Sequence, residues 1–564
     1  MANLNFWLSN SPLNPNHNPL ITVDFEGFTG EQWYPYHESM VSVSPVFALT
    51  THYPVEANGH AIQHVKTQSY FDDYYNRIHI FPAALELGNV ASEQVSPVNL
   101  WNAYITPKIL QSIEGAEEGL NVSGQPNPPF TFAALQERAW NVSISPDGPT
   151  TIDTNIIWQF GEDQAALHIT GTRIVAFGWL VDWSKPVTET LQWLTDILQS
   201  KTGHEQRRSL RLSPRIQFDA ELLLYDAERQ FFDLAMVGWD AKNFAMPIWP
   251  QQQWLKTSHA VGGMVIYCDT TYRNFKANRL AILRGQTAFD NETVEIESVY
   301  ADRLILKRPL LKSWPAGTCF APAVTAQLAE QPNLIKRTDR MMRTQVSFNV
   351  TEPVEHPAHL PSATYRSYPV LEDAPNEQKD LTHTFERFFN TLDNKIAQPL
   401  KHDLAKAAFN LYQYAWMTYG REQQAQLKGL FYALSGSQKV IWIPTFSDDL
   451  TVISNQTGTS NALTIRWCGY ARFAQNQLGR RDIQIRLKNG TTLYRRIISA
   501  AEINAESEQI VLDENFDNVN QNTVLMISFI SLCRLSNDTL TIEHSNDSDG
   551  IAKAEATWRG VHES

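Results

Sequence analysis

The chain has 564 residues, a formal net charge of −14 and 43% hydrophobic residues. This length predicts three to five domains, each able to bury its own core. The acidic balance argues against stable nucleic-acid binding, which needs Lys and Arg clustered on one face.

The composition points to β structure. Sixteen Trp, 29 Pro and many turn-forming residues between short apolar runs are typical of β-rich architecture. The four cysteines lie far apart, so we expect neither a disulfide framework nor a zinc site. No run reaches the ~18 apolar residues that a membrane-spanning helix needs, so no membrane insertion is expected. The N-terminus lacks the basic and apolar regions of a signal peptide.

The first third of the chain contains two different segments. Residues 1–60 are rich in Pro, Asn and aromatics without a sustained period, and we predict an irregular arm there. Residues 61–175 hold short strands bounded by turn signals, which predicts an immunoglobulin-like β-sandwich. Such a sandwich either binds glycan or simply packs against its neighbours.

Residues 176–260 are predicted to form a unit of sheet and helix. Apolar and polar residues alternate in two runs on either side of a polar turn at 201–203, which indicates two half-buried strands. The stretch DAERQFFDLAMVGW that follows is typical of a helix, and FAMPIWP after it of a strand.

The remainder of the chain repeats this layout. Residues 261–335 predict a small β-barrel, residues 336–447 a second sheet-and-helix unit, and residues 448–564 a second small β-barrel with C-terminal strands. The segment MRTQVSFNVTEP is interpreted as the first strand of the second unit. The stretch LYQYAWMTYGREQQAQLKGLFYALSG is interpreted as its helix. We therefore predict a mainly β, multidomain fold with two tandem units of twisted sheet, helix and small barrel.

No catalytic motif accompanies this pattern. The sequence has no HExxH, no G-x-S-x-G elbow, no Walker-type phosphate loop and no GxGxxG after a strand. We therefore expect no catalytic, cofactor-binding or metal-binding residues and no enzymatic activity. The charged turn containing Arg207, Arg208, Arg211 and Arg215 has three interpretations: a solvated turn, a patch between subunits, or a phosphate-binding patch.

Several motifs resemble a known family. They are E-x-L-x-W-x-T-D at 189–196, E-Q-R-R-x-L-R at 205–211, FAMPIW at 244–249, VIWIPTFSDDLTV at 440–452 and RLSNDTLTIEHSNDSDG at 534–550. Together they resemble the distal tail and tail hub proteins of long-tailed bacteriophages. The resemblance implies a structural virion protein at the tail tip, made in the host cytoplasm. It also implies a trimer or hexamer ring, with the tail tube, hub and tip fibre as partners and a head-to-tail contact around the axis.

The resemblance implies that aromatic and arginine side chains form the subunit interface. The candidates are Trp193, Arg207, Arg208, Arg211, Arg215, Trp249, Trp442 and Phe446. The alternative is a carbohydrate-binding or carbohydrate-active protein with a β-sandwich module, in which aromatics such as Trp33, Tyr34 and Tyr36 stack on sugar rings.

Overall fold

The computed structural model describes most of the chain beyond its first 73 residues. The described ranges are 74–90, 93–116, 119–145, 151–237, 243–455, 458–546 and 550–562. Strands dominate these ranges, and the prediction of a mainly β, multidomain fold is confirmed. The chain divides into two compact units, Met1–Arg173 and Ile174–Ser564. The predicted arm at 1–60, with Trp33, Tyr34 and Tyr36, lies outside the described residues. Of the helices in the described ranges, none is long and apolar enough to cross a membrane.

The first unit is a two-sheet sandwich. Its strands are β1 (Ile78–Phe81), β2 (Ala84–Val90), β3 (Gln94–Asn102), β4 (Lys108–Leu110), β5 (Ser112–Glu114), β6 (Leu120–Ser123), β7 (Phe130–Phe132), β8 (Glu137–Ile144), β9 (Thr151–Phe160) and β10 (Asp163–Ala176). One sheet has the order β1-β3-β8-β6. In the other, β10 pairs with β2 and β9, and β9 pairs with β5.

The core of the sandwich lies between these sheets. Trp140 of β8 and Trp158 of β9 are almost fully buried, and their rings meet edge to face at 6.1 Å. Strand β9 alternates buried and exposed residues, as a strand with one face on a core must. Strands β2 and β10 are parallel, which departs from the two antiparallel sheets of immunoglobulin sandwiches.

The second unit begins with a repeat that we call repeat 1. Its elements are β11 (Val187–Gln192), β12 (Thr195–Gln199), β13 (Glu205–Ser209), β14 (Arg215–Tyr225), α1 (Asp226–Val237), β15 (Asn243–Pro247), β16 (Gln253–Trp254), β17 (Val265–Tyr267), β18 (Leu280–Arg284), β19 (Asn291–Val299), β20 (Arg303–Leu306), β21 (Cys319–Leu328), β22 (Ile335–Lys336) and β23 (Met341–Val350). The turn predicted at 201–203 joins β12 to β13, which pair as a hairpin that we call hairpin 1. The sequence predicted two strands in this region, and the structure has four. The chain leaves the sheet after β11, forms hairpin 1 from β12 and β13, and re-enters the sheet at β14.

Repeat 2 follows after a small connecting hairpin. Its elements, with that connecting hairpin first, are β24 (Thr364–Tyr365), β25 (Tyr368–Pro369), β26 (Thr382–Glu386), β27 (Phe389–Leu392), β28 (Leu400–Asp403), β29 (Phe409–Thr418), α2 (Arg421–Leu434), β30 (Ile441–Pro444), β31 (Thr459–Arg466), β32 (Asp482–Leu487), β33 (Thr492–Asn504), β34 (Ser507–Asp517), β35 (Val524–Leu535), β36 (Thr539–His544) and β37 (Ala552–Gly560). Strands β27 and β28 form a hairpin that we call hairpin 2. The first half of the predicted second helix is strand β29, whose burial alternates along most of its length.

The two repeats have the same strand pairing. In repeat 1, β14 pairs with β11 and β23, and β21 pairs with β15, β18 and β23. In repeat 2, β29 pairs with β26 and β37, and β35 pairs with β30, β32 and β37. The residue register agrees too. Thr188 pairs with Asp219 and Thr382 with Gln413, so both partners advance by the same 194 residues (382 − 188 and 413 − 219).

Each repeat carries a small barrel-like β module with its own core. Residues from Leu255 to Phe320 enclose one apolar cluster, and residues from Leu450 to Phe529 enclose the other. Each module follows a short strand that ends in proline, at Pro247 and Pro444. A proline suits that position because the strand stops pairing there.

The predicted boundary at 336 is corrected by strand β23. This strand pairs with β14 and β21, so it closes repeat 1, whereas the sequence pattern assigned it to the second unit. Its alternation marks a half-buried strand but carries no information about which sheet buries it. The counterpart of β11 in repeat 2 is therefore β26.

A single apolar cluster unites the two repeats. It contains the buried side chains of β14, β23 and α1 together with those of β29, β37 and α2. Trp249 belongs to this cluster and has no exposed surface, and its ring is 6.1 Å from that of Phe177 and 6.2 Å from that of Phe348. The two repeats therefore share one core, and the two modules have cores of their own.

We expect Trp249→Ala to lower the free energy of unfolding of the second unit by about 3–5 kcal/mol, because it leaves a large cavity in the shared core. The matched control is Trp254→Ala, since Trp254 is 54% exposed. This control should change stability by about 1 kcal/mol or less. Urea unfolding followed by circular dichroism measures both, and equal effects would contradict the core position of Trp249.

Candidate functional site

The two repeats are joined along one pair of strands. Strand β11 of repeat 1 pairs antiparallel with β36 of repeat 2 over six residue pairs, from Val187–His544 to Gln192–Thr539. Because β11 also pairs with β14 and β36 with β37, the sheet runs without a break from one repeat to the other. We call this contact the joint.

A buried carboxylate lies at the centre of the joint. The side chain of Glu189 on β11 is 5% exposed, and it forms an ion pair with Lys428 of α2. His544 Nε2 donates to Glu189 Oε2 at 3.1 Å, while Gln424 Nε2 donates to His544 Nδ1 at 2.7 Å. Burial alone raises the pKa of Glu189, but the charge of Lys428 and the bond from His544 outweigh it and lower that pKa to about 2. Glu189 is therefore ionised and fully paired.

A histidine beside this cluster is kept neutral. Burial, and after it the charge of Lys428, lower the pKa of His356 to about 4. Its Nε2 donates to the backbone oxygen of Ala425 at 2.9 Å. Beside the paired Glu189 and Lys428, His356 is therefore a neutral imidazole at neutral pH.

A second ionic cluster ties hairpin 1 to repeat 2. Glu205 of β13 accepts from Arg534 Nε at 2.7 Å and Nη2 at 2.9 Å, and also binds Arg559. Arg559 Nε donates to Glu386 at 2.7 Å. Burial raises the pKa of Glu205, but the bonds and charges of the two arginines lower it below its ordinary value. The side chains of Glu205 and of both arginines are less than 10% exposed, so the contacts among these three are shielded from solvent.

The tip and base of hairpin 1 are also held by repeat 2. At the tip, Gly203 has a φ of +88°, and an added Cβ would lie 2.3 Å from the ring of Phe409. Next to it, the imidazoles of His204 and His562 stack with centroids 4.0 Å apart. At the base, Asp538 accepts from the hydroxyl of Thr195 at 2.9 Å and from the backbone nitrogen of Ser437 at 2.8 Å.

The structure corrects the aromatic candidates for the subunit interface. Trp193, Trp249 and Trp442 are at most 4% exposed. Phe446 is half-buried, and its ring is 5.8 Å from that of Tyr414. Large aromatics suit cores as well as interfaces, and these pack inside the chain. They offer little or no surface to a neighbour.

The arginine candidates separate into two pairs. Arg207 and Arg211 are half-buried, and Arg211 donates to the backbone oxygen of Gln192 at 3.2 Å. Arg208 and Arg215 are exposed. Of the four candidate arginines, these two are the ones that present their charge to solvent.

The charged residues of the joint were not among the residues that the sequence predicted to be functional. Glu189 shares the inward face of β11 with Val187 and Leu191, and that position was the available signal, since a charged residue on a buried face needs a partner. Its partner His544 lies 355 residues away, so no local pattern could identify the pair.

A separate groove lies on the module of repeat 2. It has a volume of about 460 Å³ and is lined by Trp467, Arg472 and Glu502 together with residues 503–505. Trp467 is 38% exposed. Arg472 donates to Glu502 at 2.9 Å, and this bond lowers the pKa of Glu502 below its ordinary value.

The loop that leads to Arg472 is hydrogen-bonded to a buried carboxylate. The buried carboxylate of Glu508 accepts from the backbone nitrogens of Gly469 at 2.6 Å and Ala471 at 3.0 Å. Gly469 precedes a π-helical turn, Tyr470–Ala474, and Ala471 lies within it. This geometry is frequent at functional sites. The groove therefore presents an aromatic face beside a paired guanidinium and carboxylate.

The described residues hold no group of three or more His, Cys, Asp and Glu side chains placed to bind a metal ion. A comparison with models of protein families finds no match, and a comparison with curated proteins likewise finds none.

We expect Glu189→Gln to lower the free energy of unfolding at pH 7 by about 3–5 kcal/mol, because Lys428 is then buried without a carboxylate. A carboxyl pKa lowered from 4.5 to about 2 stabilises the fold above pH 4.5, and this contribution is lost as the pH falls to about 2. The difference between variant and wild type should therefore shrink across that range. Urea unfolding at a series of pH values measures it.

The control for this prediction is Asp302→Asn, which removes an exposed ion pair with Arg303. Exposed pairs contribute about 0–1 kcal/mol, so this variant should track the wild type at every pH. A difference for Glu189→Gln that stays constant down to pH 2 would contradict the role of its charge.

Proposed function

We propose that this protein is a structural component of a bacteriophage tail tip, of the distal tail or hub type, which assembles into a symmetric ring. One observation carries the proposal: two equivalent repeats are joined head to tail through a continuous sheet. A head-to-tail contact between equivalent units propagates, and it closes into a ring where the rotation allows. The motifs that resemble phage tail-tip proteins support the same function.

The duplication also bears on the number of chains. Each chain contributes two repeats with the same strand pairing, so three chains present six similar units around an axis. Rings of three or six chains both agree with the proposed role. The number of chains distinguishes a hub, with three, from a distal tail ring, with six. The ring joins the tail tube to the tip and receptor-binding apparatus.

We expect the purified full-length chain to form closed rings, seen by negative-stain electron microscopy, with a native mass of three or six times 64.1 kDa. Arg208→Glu reverses an exposed charge on hairpin 1, and it should raise the concentration for half-assembly about tenfold, which corresponds to ~1.4 kcal/mol. The control is Arg303→Glu, an exposed position on the module of repeat 1. A wild-type chain that stays monomeric at all concentrations would overturn the proposal.

A second candidate function is carbohydrate binding at the groove on the module of repeat 2. The observation in its favour is the exposed ring of Trp467 beside the paired Arg472 and Glu502. An aromatic face stacks on a pyranose ring, and planar polar groups at its rim bind vicinal hydroxyls.

We expect the wild-type chain to retain oligosaccharides on a glycan array and Trp467→Ala to lose about tenfold in affinity. The matched control is Trp254→Ala, an exposed tryptophan on the other module. Binding that neither variant weakens would exclude the groove as the site, and a blank array with the wild type would exclude this second function.

A further inference from the structure

We propose that the joint between the repeats is rebuilt between two copies of the chain, with repeat 2 of one copy contacting repeat 1 of the next. In this contact the outer edge of β26 pairs with residues 331–336, and hairpin 2 lies on the outer surface of repeat 1. This inference rests on the proposed ring-forming function. It goes further by specifying which residues meet.

The outer edge of β26 has no partner strand within the described residues. This strand occupies in repeat 2 the position of β11 in repeat 1, and hairpin 2 follows it as hairpin 1 follows β11. Strand β11 has partners on both sides, whereas β26 pairs within the described residues only with β29. Leu191 on β11 is fully buried, but its equivalent on β26, Phe385, is 58% exposed. The edge of β26 therefore has the same register as β11, but no strand of the described residues pairs with it as β36 pairs with β11.

The opposite edge, on repeat 1, is formed by β22. Strand β22 is the counterpart of β36, because Ile335 pairs with Arg343 as Glu543 pairs with Lys553. Within the described part of the chain, β22 pairs with β23 alone, and Ile335 is 53% exposed. Thr188 pairs with Glu543 in the joint, so the same register places Thr382 opposite Ile335 of the next copy.

Glu205, Arg534 and Arg559, which hold hairpin 1 against repeat 2, are all replaced at the equivalent positions of hairpin 2 and repeat 1. Glu205 binds Arg534 and Arg559 inside the chain. The equivalent of Glu205 on hairpin 2 is Pro399. The equivalents of the two arginines on repeat 1 are Gln327 and Asn349, and all three are uncharged and exposed. An acid and its two basic partners are thus replaced as a set, as expected if these positions face each other in a second contact.

The Glu189–Lys428 ion pair is also replaced at the equivalent positions. Lys428 lies eight residues after the positive-φ residue Gly420 that precedes α2. The same step from Asp226, which has a positive φ at the start of α1, leads to Leu234, which is 73% exposed. Glu189 corresponds to His383. Neither the carboxylate nor the ammonium group is retained, and an exposed leucine stands where the joint has a lysine that is only 13% exposed.

Both surfaces are therefore more apolar than the joint inside the chain. Phe385 of repeat 2 and the exposed Leu194, Leu234 and Ile335 of repeat 1 lie at positions equivalent to those that meet in the joint. Burying such side chains between copies removes apolar surface from water, and an exposed strand edge presents unpaired backbone groups to a partner strand. A second copy of this chain supplies the complementary surface.

The test is a disulfide across the proposed strand pair. The double variant Thr382→Cys/Ile335→Cys, made in a Cys468→Ser background because Cys468 is exposed, is purified and oxidised with diamide. We expect a ladder of covalent oligomers on non-reducing gels, ending at the number of chains in the ring. Opposed residues of antiparallel strands meet the distance requirement of a disulfide.

Three controls accompany the ladder. Each single cysteine variant should give no species larger than a dimer, and Thr382→Cys/Asp302→Cys should give no ladder, because Asp302 lies on an exposed turn of the module in repeat 1. Rings that form without the 382–335 ladder would overturn the inference and leave the proposed function standing. A chain that forms no assembly would overturn both.

A charge substitution gives an independent readout. Pro399→Glu introduces an acid that has no arginine opposite it, and we expect at least a tenfold loss of assembly with an unchanged circular dichroism spectrum and melting temperature. Adding Gln327→Arg and Asn349→Arg rebuilds the arginine pair of the joint between copies and should restore assembly. Assembly by Pro399→Glu at wild-type concentrations, or failure of the triple variant to recover, would contradict the contact.

Discussion

The pairing of β11 with β36 is the constraint on which the second unit depends. It connects segments 355 residues apart at the Glu189–His544 contact, and the continuous sheet and the shared aromatic core both require it. A charged residue on the inward face of that strand is tolerated only because Lys428 and His544 meet it there. The ion pair therefore selects one register, since a slip by one residue would leave the carboxylate without a partner.

Because the unit is duplicated, the same strand pairing is available for assembly. Two repeats with one pairing scheme have four lateral edges, and the joint uses two of them. The remaining two edges, on β22 and β26, have matching registers and exposed apolar side chains. Ionic clusters suit the contact that forms within one folding chain, where burial is complete. A contact between separate chains must first be exposed to water, and apolar residues tolerate that exposure at lower cost.

Much of the fold could be predicted from alternation and turn residues. The strands around 187–192 and 215–225, the hairpin turn at 201–203 and the helix after β14 all follow patterns with a local physical cause. The prediction misplaced β23 and regarded β29 as part of a helix, because alternation does not identify the partner sheet. The candidate site residues were predicted less accurately than the fold. Trp193, Trp249 and Trp442 were assigned to an interface, and they are buried in the chain's own cores.

What the sequence determined by itself was therefore local: a mainly β chain, the order of its elements and a repeated layout. These depend on side-chain periodicity and turn chemistry, which act over a few residues. Only the tertiary structure decided which strands pair across the repeats and which arginines bind Glu205. It also decided that the large aromatics belong to the core. Those outcomes depend on contacts between residues hundreds of positions apart, whose free energy is realised only when both surfaces are buried together.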